Sequence, residues 1–292
     1  IWCERCFAPW TDMIEQMKER DIPLFALESK DPLTEFDIVG FTLQYELSYT
    51  NVLLMLELAG IPFYAKDRDE SMPLICAGGP CTCNAEPMAD FFDFMFLGEG
   101  EFHTIDVCNK LNELKKAGKS KKEILIELSK IDGIYVPSLY QIEYNEDNTI
   151  KAVTSDVNAP IPCTKAIVRD FKNHPFPTDV AVPMIGAIHD RAMVEVLRGC
   201  VRGCRFCQAG FIYRPFRERD ADLINDGAKE LCRCTGYEEV SLTSLSTSDH
   251  PQLEEMLDKM MAWTENEKVN IALPSLRVDN FSLDLMEKVQ KV

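Results

Sequence analysis

The stretch Val194-Glu195-Val196-Leu197-Arg198-Gly199-Cys200-Val201-Arg202-Gly203-Cys204-Arg205-Phe206-Cys207-Gln208-Ala209-Gly210 runs from a short apolar pattern directly into three cysteines. Residues 193–197 read as a β-strand. The cysteines are spaced x3 and then x2, and thiolates are soft ligands suited to zinc or to iron–sulfur clusters. Structural zinc normally takes four protein ligands, often as paired C-x2-C knuckles. Only three cysteines gather here, and the next two, Cys232 and Cys234, come after a helical stretch. Three cysteines on a [4Fe–4S] cluster leave one iron open to a substrate or cofactor. A loop that directly follows a strand lies, in a βα barrel, at the C-terminal face where active sites sit. Three incidental buried thiols and a zinc site are the alternatives.

Working outward toward the C-terminus, a βα rhythm continues. Asp220 caps a helix over 221–234, with Gly236 just past its end. A strand over 239–245, a helix over 251–264, a strand over 269–273 and a helix over 283–289 follow. Three βα units cannot close a barrel, so the chain is expected to be part of a longer protein. It also begins at Ile1 rather than Met.

Toward the N-terminus, residues 158–183 are rich in proline (Pro160, Pro162, Pro175, Pro177, Pro183) and read as an extended connector. Before it, 135–144 and 150–153 bracket Asn145-Glu146-Asp147-Asn148 as a hairpin. Ser120 and Glu123 form a capping box at the start of a helix over 121–130, preceded by a helix over 101–116. Short apolar runs at 24–27, 37–43, 62–65, 74–77 and 94–97 alternate with helical patterns at 10–20 and 47–59. That alternation predicts a parallel sheet with crossover helices. Several of these strands end in glycine, at Gly40, Gly78-Gly79 and Gly98-Glu99-Gly100. Glycine after a parallel strand either turns the chain sharply or lets backbone approach a ligand.

The composition sets bounds. Of 292 residues, 46% are hydrophobic and 27% charged, which predicts packed cores rather than disorder. The longest apolar runs, near 51–60 and 91–97, are too short to span a bilayer, so no membrane partner is expected. A net charge of −17 argues against nonspecific nucleic-acid binding. One basic run stands out against it: Arg198, Arg202, Arg205, Arg214, Arg217 and Arg219. Such a local patch on an acidic chain leaves RNA open as a partner. Its end, Tyr213-Arg214-Pro215-Phe216-Arg217-Glu218-Arg219, reads either as a solvated, self-paired charge run at a helix start or as a lid or clamp on an anionic group. Twelve cysteines without a secretory segment point to a reducing, cytoplasmic compartment. Cys3-x2-Cys6 and Cys81-x-Cys83 read as incidental thiols or as a second metal site.

Cys-x3-Cys-x-Phe-Cys directly after a strand resembles the radical S-adenosylmethionine (radical SAM) superfamily. The resemblance implies that Cys200, Cys204 and Cys207 bind a [4Fe–4S] cluster whose open iron chelates S-adenosylmethionine. One-electron cleavage then yields a 5′-deoxyadenosyl radical that abstracts hydrogen. Phe206 matches the aromatic residue the family places before its third cysteine, near the adenine. Ser244-Leu245-Ser246-Thr247-Ser248-Asp249 stands where the family carries a Gly-Gly-Glu-like stretch and departs from it. There Ser246 and its neighbouring hydroxyls, or Asp249, would meet the cofactor. Pro274-Ser275-Leu276-Arg277-Val278-Asp279 is similar to a stretch of methylthiotransferase-type members, which brings Ser275 and Arg277 to S-adenosylmethionine. A guanidinium such as Arg277 suits a bidentate contact with the methionine carboxylate.

The strand-and-glycine sets over 20–102, ending in Gly98-Glu99-Gly100-Glu101, resemble the cobalamin-binding-type domain that precedes the barrel in one branch of that superfamily. Cobalamin is thereby implied as a cofactor of the fold. The cobalt-ligating motif Asp-x-His-x-x-Gly does not occur: His103, His174, His189 and His250 lie in other contexts. The expected fold is α/β: a doubly wound Rossmann-like domain over 1–118, a connector over 119–185, and the first half of a radical SAM partial (β/α) barrel over 186–292. The implied function is reductive cleavage of S-adenosylmethionine to modify an unactivated carbon, by methyl or methylthio transfer to RNA or a small molecule, with a reducing electron donor. The alternative is an iron–sulfur or zinc binding module without radical chemistry.

Overall fold

The run Leu74-Ile75-Cys76-Ala77 is buried at every position, as a strand covered on both faces must be. It is the centre of the first of two compact units into which the computed structural model divides, between Ile167 and Val168; the structure describes residues 1–277. The expected helix over 283–289 lies outside the described residues.

The first unit contains, in order, α1 (Thr11–Glu19), β1 (Ile38–Thr42), α2 (Tyr49–Leu58), β2 (Leu74–Gly78), β3 (Phe94–Phe96), α3 (His103–Lys116), α4 (Lys121–Leu128), β4 (Ile134–Tyr135), β5 (Gln141–Tyr144) and β6 (Ile150–Thr154). Its sheet has the order β1-β2-β3-β4, with β1, β2 and β3 parallel and β4 antiparallel. Side chains alternate across a strand, so β2 feeds two cores. Ile75 and Ala77 pack with Val52 and Leu56 of α2 and Met17 of α1. Leu74 and Cys76 pack with Val107 and Leu111 of α3 and Leu125 of α4. The result is a sheet with helices on both faces. The described strands advance in one direction across it, and the order reversal that defines double winding is not among them.

Two expected strands did not form. Over 24–27 the backbone bonds turn inward instead: Ala26 N donates to Asp31 O and Leu33 N to Leu24 O. Over 62–65 Pro62 has no amide hydrogen to give a ladder. The carbonyls of Pro62 and Phe63 accept from Arg68 Nη1, each at 2.9 Å. Arg68 and Asp93 form a buried ion pair at 3.0 Å, and Asp93 also accepts the Ile75 amide at 2.8 Å and faces Lys121 Nζ at 2.8 Å. This pair pins the entries of β2 and β3 together. The hairpin is present as β5 and β6, but Tyr135 left it to pair with β3 because a 3-10 turn at Pro137–Leu139 splits the run. Both limbs of the Ser120–Glu123 capping box are made.

The glycines after β2 and β3 face the chain's own backbone. A Cβ on Gly79 (φ +104°) would lie 2.7 Å from Leu43 O, and one on Gly98 (φ +98°) would lie 2.2 Å from Ala166 O. Ala166 belongs to the proline-rich connector, which carries no strand or helix but packs Ala166 into the first unit and Phe171 into the second.

The second unit contains β7 (Ala192–Glu195), β8 (Leu197–Arg198), α5 (Ala209–Ile212), β9 (Arg217–Glu218), α6 (Ala221–Thr235), β10 (Glu239–Thr243), α7 (Leu253–Glu267) and β11 (Asn270–Ala272). The parallel sheet runs β7-β10-β11 with β10 central. Ala192, Val194, Val240, Leu242 and Ile271 point to one face, where Ile224, Ala228 and Leu231 of α6 and Met256 and Met260 of α7 cover them. The α6 boundaries follow its sequence signals. Asp220 accepts the Asp222 amide at the start, and Gly236 (φ +74°) closes the end. Cys232 and Cys234 lie inside the last turn of α6: Cys232 is in the core, where burial pushes its thiol up to about 11, and Cys234 is exposed.

Candidate functional site

Because β7, β10 and β11 are parallel, the segments that follow them emerge at one edge of the sheet. Residues 199–216 follow β7 and carry the cysteines, residues 244–252 follow β10, and residues 273–277 follow β11. The cysteine loop is closed at its neck by the antiparallel pair β8–β9, Leu197 against Glu218 and Arg198 against Arg217. Gly199 (φ +83°) is required there: a Cβ would lie 2.7 Å from Pro215 O and 2.8 Å from Tyr213 O.

Cys200, Cys204 and Cys207 are all half-buried on this loop. The Cys207 amide donates to Cys204 O at 3.1 Å, which coils the second half into a turn. The amide of Arg202 donates to Cys200 Sγ at 3.4 Å. No three His, Cys, Asp or Glu side chains among the described residues converge as ligands of one metal ion would. A [4Fe–4S] cluster asks for a different arrangement, since each thiolate meets a separate iron. An amide hydrogen bond to a ligating sulfur is one of the levers that tune such clusters. Donor type, loop placement and the N–H···S bond fit that group.

The basic run is neither a solvated charge run nor a clamp at its neck. Arg219, only 2% exposed, donates through Nε to Glu195 O at 3.0 Å and also to His174 O. Arg198 makes a two-point contact with the Glu195 carboxylate at 2.9 and 2.8 Å. The guanidiniums of Arg198, Arg217 and Arg219 lie 4.7, 5.5 and 4.2 Å from the centre of the buried Phe171 ring. Three cations around one aromatic ring hold the connector against the base of the cysteine loop.

At the tip, Arg202 reaches across to the β10 loop. Its Nε donates to Asp249 Oδ2 at 2.9 Å and its Nη2 to Asp249 Oδ1. Ser246 Oγ donates to Asp249 Oδ2 at 2.8 Å. These bonds, with Arg202 foremost and Arg277 adding its charge, hold the Asp249 carboxyl below the usual range. The β10 and β11 segments are joined by the Thr247 amide, which donates to Ser275 O at 2.9 Å. His250 is buried behind the loop. The Gln252 amide donates to its Nδ1 at 3.1 Å, so its Nε2 hydrogen faces Arg219 O at 3.1 Å, and burial lowers its pKa.

The residues named from sequence fall into two groups. Cys200, Cys204, Cys207, Ser275 and Arg277 lie on neighbouring strand-end segments. Ser246 is there too, but it is buried and its hydroxyl already serves Asp249. Phe206 is 91% exposed. Sequence reasoning missed Thr243, and it took Ser248 only as one hydroxyl among those of 244–249. Their hydroxyl oxygens are buried and, among the described residues, have no hydrogen-bond partner. A buried hydroxyl without a partner costs free energy, and these two border the same loop. The density of hydroxyls over 243–248 was the signal available, but which of them lacked a partner was not in it.

Comparison with known proteins bears on this edge. Residues 1–137 match the family model described as radical SAM proteins, N-terminal, and residues 194–292 match that of the radical SAM superfamily. The chain is 27% identical over 278 residues to the uncharacterized protein MJ0966 of Methanocaldococcus jannaschii, covering 94% of this chain and 52% of that protein. Its fold is similar to that of TsrM, a radical S-adenosylmethionine methyltransferase of Kitasatospora setae. One TsrM structure holds cobalamin and a [4Fe–4S] cluster (TM-score 0.54, 12% identity, 96% of this chain and 51% of that one). Another holds tryptophan and a S-adenosylmethionine analogue (TM-score 0.52, 12% identity, 96% and 49%). The chain thus spans about half the length of the proteins it matches. No helix among the described residues is long and apolar enough to cross a membrane.

Proposed function

From a chain that belongs to the radical SAM superfamily, we propose an enzyme that holds a [4Fe–4S] cluster on Cys200, Cys204 and Cys207 and cleaves S-adenosylmethionine reductively. The observation that carries this reading is the meeting of three strand-end segments: the half-buried cysteines on one, the buried hydroxyls of Thr243 and Ser248, unpartnered among the described residues, at the second, and Ser275 and Arg277 on the third. When bound, the cluster supplies the electron that breaks the sulfonium bond.

The protein's part is binding and orientation. Thr243 and Ser248 offer hydrogen bonds to polar groups of the ligand, Arg277 offers charge to its carboxylate, and Phe206 offers an aromatic face. Ser246 works behind them, through Asp249. The finer fold reading is a Rossmann-like cobalamin-binding-type domain over 1–118, a connector over 119–185 and a radical SAM partial barrel over 186–292. Cobalamin comes to this reading through the fold likeness to TsrM, one structure of which holds it. The close approaches at Gly79 and Gly98 are filled by Leu43 and Ala166, and no residue is assigned to cobalt. Methyl or methylthio transfer, a reducing electron donor and a cytoplasmic setting complete the reading. The likeness to a methyltransferase of small-molecule substrate supports transfer to a small molecule.

The test is anaerobic reconstitution of the full-length protein. About four irons per chain, visible iron–sulfur absorbance, and 5′-deoxyadenosine on adding reductant and S-adenosylmethionine are expected. Cys204→Ala should lose the cluster. A cluster without 5′-deoxyadenosine would refute the enzymatic reading, and a cluster retained in Cys204→Ala would refute the ligand set.

A further inference from the structure

We infer that Asp249 is a positioning residue for the cluster, acting through Arg202 across 47 residues of sequence. The inference rests on the cluster-binding reading given above. Arg202 lies between Cys200 and Cys204 and does two things at once. Its backbone amide donates to Cys200 Sγ at 3.4 Å. Its guanidinium fork grips both carboxylate oxygens of Asp249. A two-point charged contact at the far end of the Arg202 side chain narrows the positions its backbone can take. The N–H···S bond is thereby biased by where Asp249 stands.

Asp249 is itself fixed. Its side chain is 6% exposed, Ser246 Oγ donates to it at 2.8 Å, and it belongs to a 3-10 turn, Thr247–Asp249. That turn is tied to its own strand by Thr247 Oγ1, which donates to Leu242 O at 3.2 Å and pairs with Ser244 Oγ at 2.7 Å. It is tied to the β11 segment by the Thr247 amide. The chain of constraint runs from the central strand β10, through Asp249, to the first cysteine's sulfur. The neck of the loop is held separately, by β8–β9 and the Phe171 cluster. Breaking the Asp249 contact should therefore loosen the cysteine end without opening the base.

The experiment compares full-length wild type with Asp249→Asn, Arg202→Met and Arg202→Lys after anaerobic reconstitution. Three properties are read: the electron paramagnetic resonance spectrum of the reduced cluster, the rate of iron loss to a chelator, and the melting of the apoprotein. Outer contacts to metal ligands typically carry 10- to 100-fold in metal affinity. Asp249→Asn and Arg202→Met are expected to lose iron about tenfold faster and to show an altered spectrum, with melting still cooperative. Arg202→Lys keeps the charge but not the fork, and should fall between them and wild type. Should Asp249→Asn not fold, the two Arg202 variants make the same comparison. Wild-type spectra and iron loss within about twofold in all variants would overturn the inference and leave the cluster reading standing. A wild type that takes up no cluster would overturn both.

Discussion

Replacing Thr243 by Val should raise the stability of the ligand-free protein and weaken S-adenosylmethionine binding, two effects of opposite sign from one atom. Thr243 closes β10, pairs in register with Glu195 of β7, and has a buried hydroxyl without a partner among the described residues. Valine keeps the branched shape that suits a strand and removes the polar atom. Leaving a buried hydroxyl unsatisfied costs about 1–3 kcal/mol. Taking the lower figure, Thr243→Val should melt roughly 3 °C higher without ligand, as expected for ~1 kcal/mol in a unit of this size. With ligand bound, wild type satisfies the hydroxyl and the variant cannot. A loss of ~1 kcal/mol corresponds to about fivefold weaker binding. Thr264 is the control. Its hydroxyl is also buried and unpartnered, but it lies within α7 in the core of the second unit. Thr264→Val should raise the melting temperature similarly and leave affinity unchanged. Differential scanning fluorimetry of the reconstituted full-length protein, with and without S-adenosylmethionine, reads both effects. If Thr243→Val binds the ligand as well as wild type, the hydroxyl does not face it and the reasoning fails.

Three further outcomes follow from the same geometry. Asp93→Asn leaves the buried Arg68 guanidinium without its counter-charge and should destabilise the first unit by about 3–5 kcal/mol; a denaturant midpoint near wild type would contradict this. Gly199→Ala places a Cβ 2.7 Å from Pro215 O at a positive φ, and should cost roughly 1–3 kcal/mol and impair reconstitution, measured as iron per chain. Burial lowers the His250 pKa from 6.5, so the unfolded chain takes up this proton before the folded one. Its contribution is complete above pH 6.5 and is lost as pH falls below that value, with a limiting slope of about 1.4 kcal/mol per pH unit. His250→Asn, which keeps an acceptor for the Gln252 amide, should flatten the melting temperature between pH 7 and 5, and an unchanged slope would count against the assignment.

How much of this was legible in sequence depended on how local the cause was. The ends of α6 were readable because Asp220 and Gly236 act within one turn of themselves. The capping box of α4 was readable for the same reason. The order of strands and helices followed from periodicity, and the cysteine loop from its spacing. What failed turned on particular side-chain and backbone contacts, near and far, that periodicity does not encode. Residues 62–65 look like a strand until Arg68 takes their carbonyls. Gly98 reads as a gap for a ligand until Ala166, 68 residues later in sequence, fills it. Ser246 and Thr243 are equivalent in a hydroxyl-rich run, and only the fold gives one a partner in Asp249 and leaves the other without one. A hydroxyl's availability is a property of the packed structure and not of its residue type.

The arginine run shows where this matters for function. Six arginines over 198–219 in a protein of net charge −17 suggest, from sequence, a footprint for phosphates. A phosphate site needs cations that reach solvent. Arg219 is buried, Arg198 is held by Glu195, and Arg217 donates to Val168 O at 2.9 Å. Arg214 lies on the Phe211 ring and donates to Gly210 O at 3.0 Å, while Arg202 grips Asp249. Five of the six are engaged in holding the cysteine loop or its neighbours in place. The arginines that would recommend RNA as a substrate are therefore mostly engaged within the chain, while Arg205 and Arg214 stand exposed. On the proposed reading, the edge offers S-adenosylmethionine the Thr243 and Ser248 hydroxyls and the Arg277 charge, a charge that also acts on Asp249.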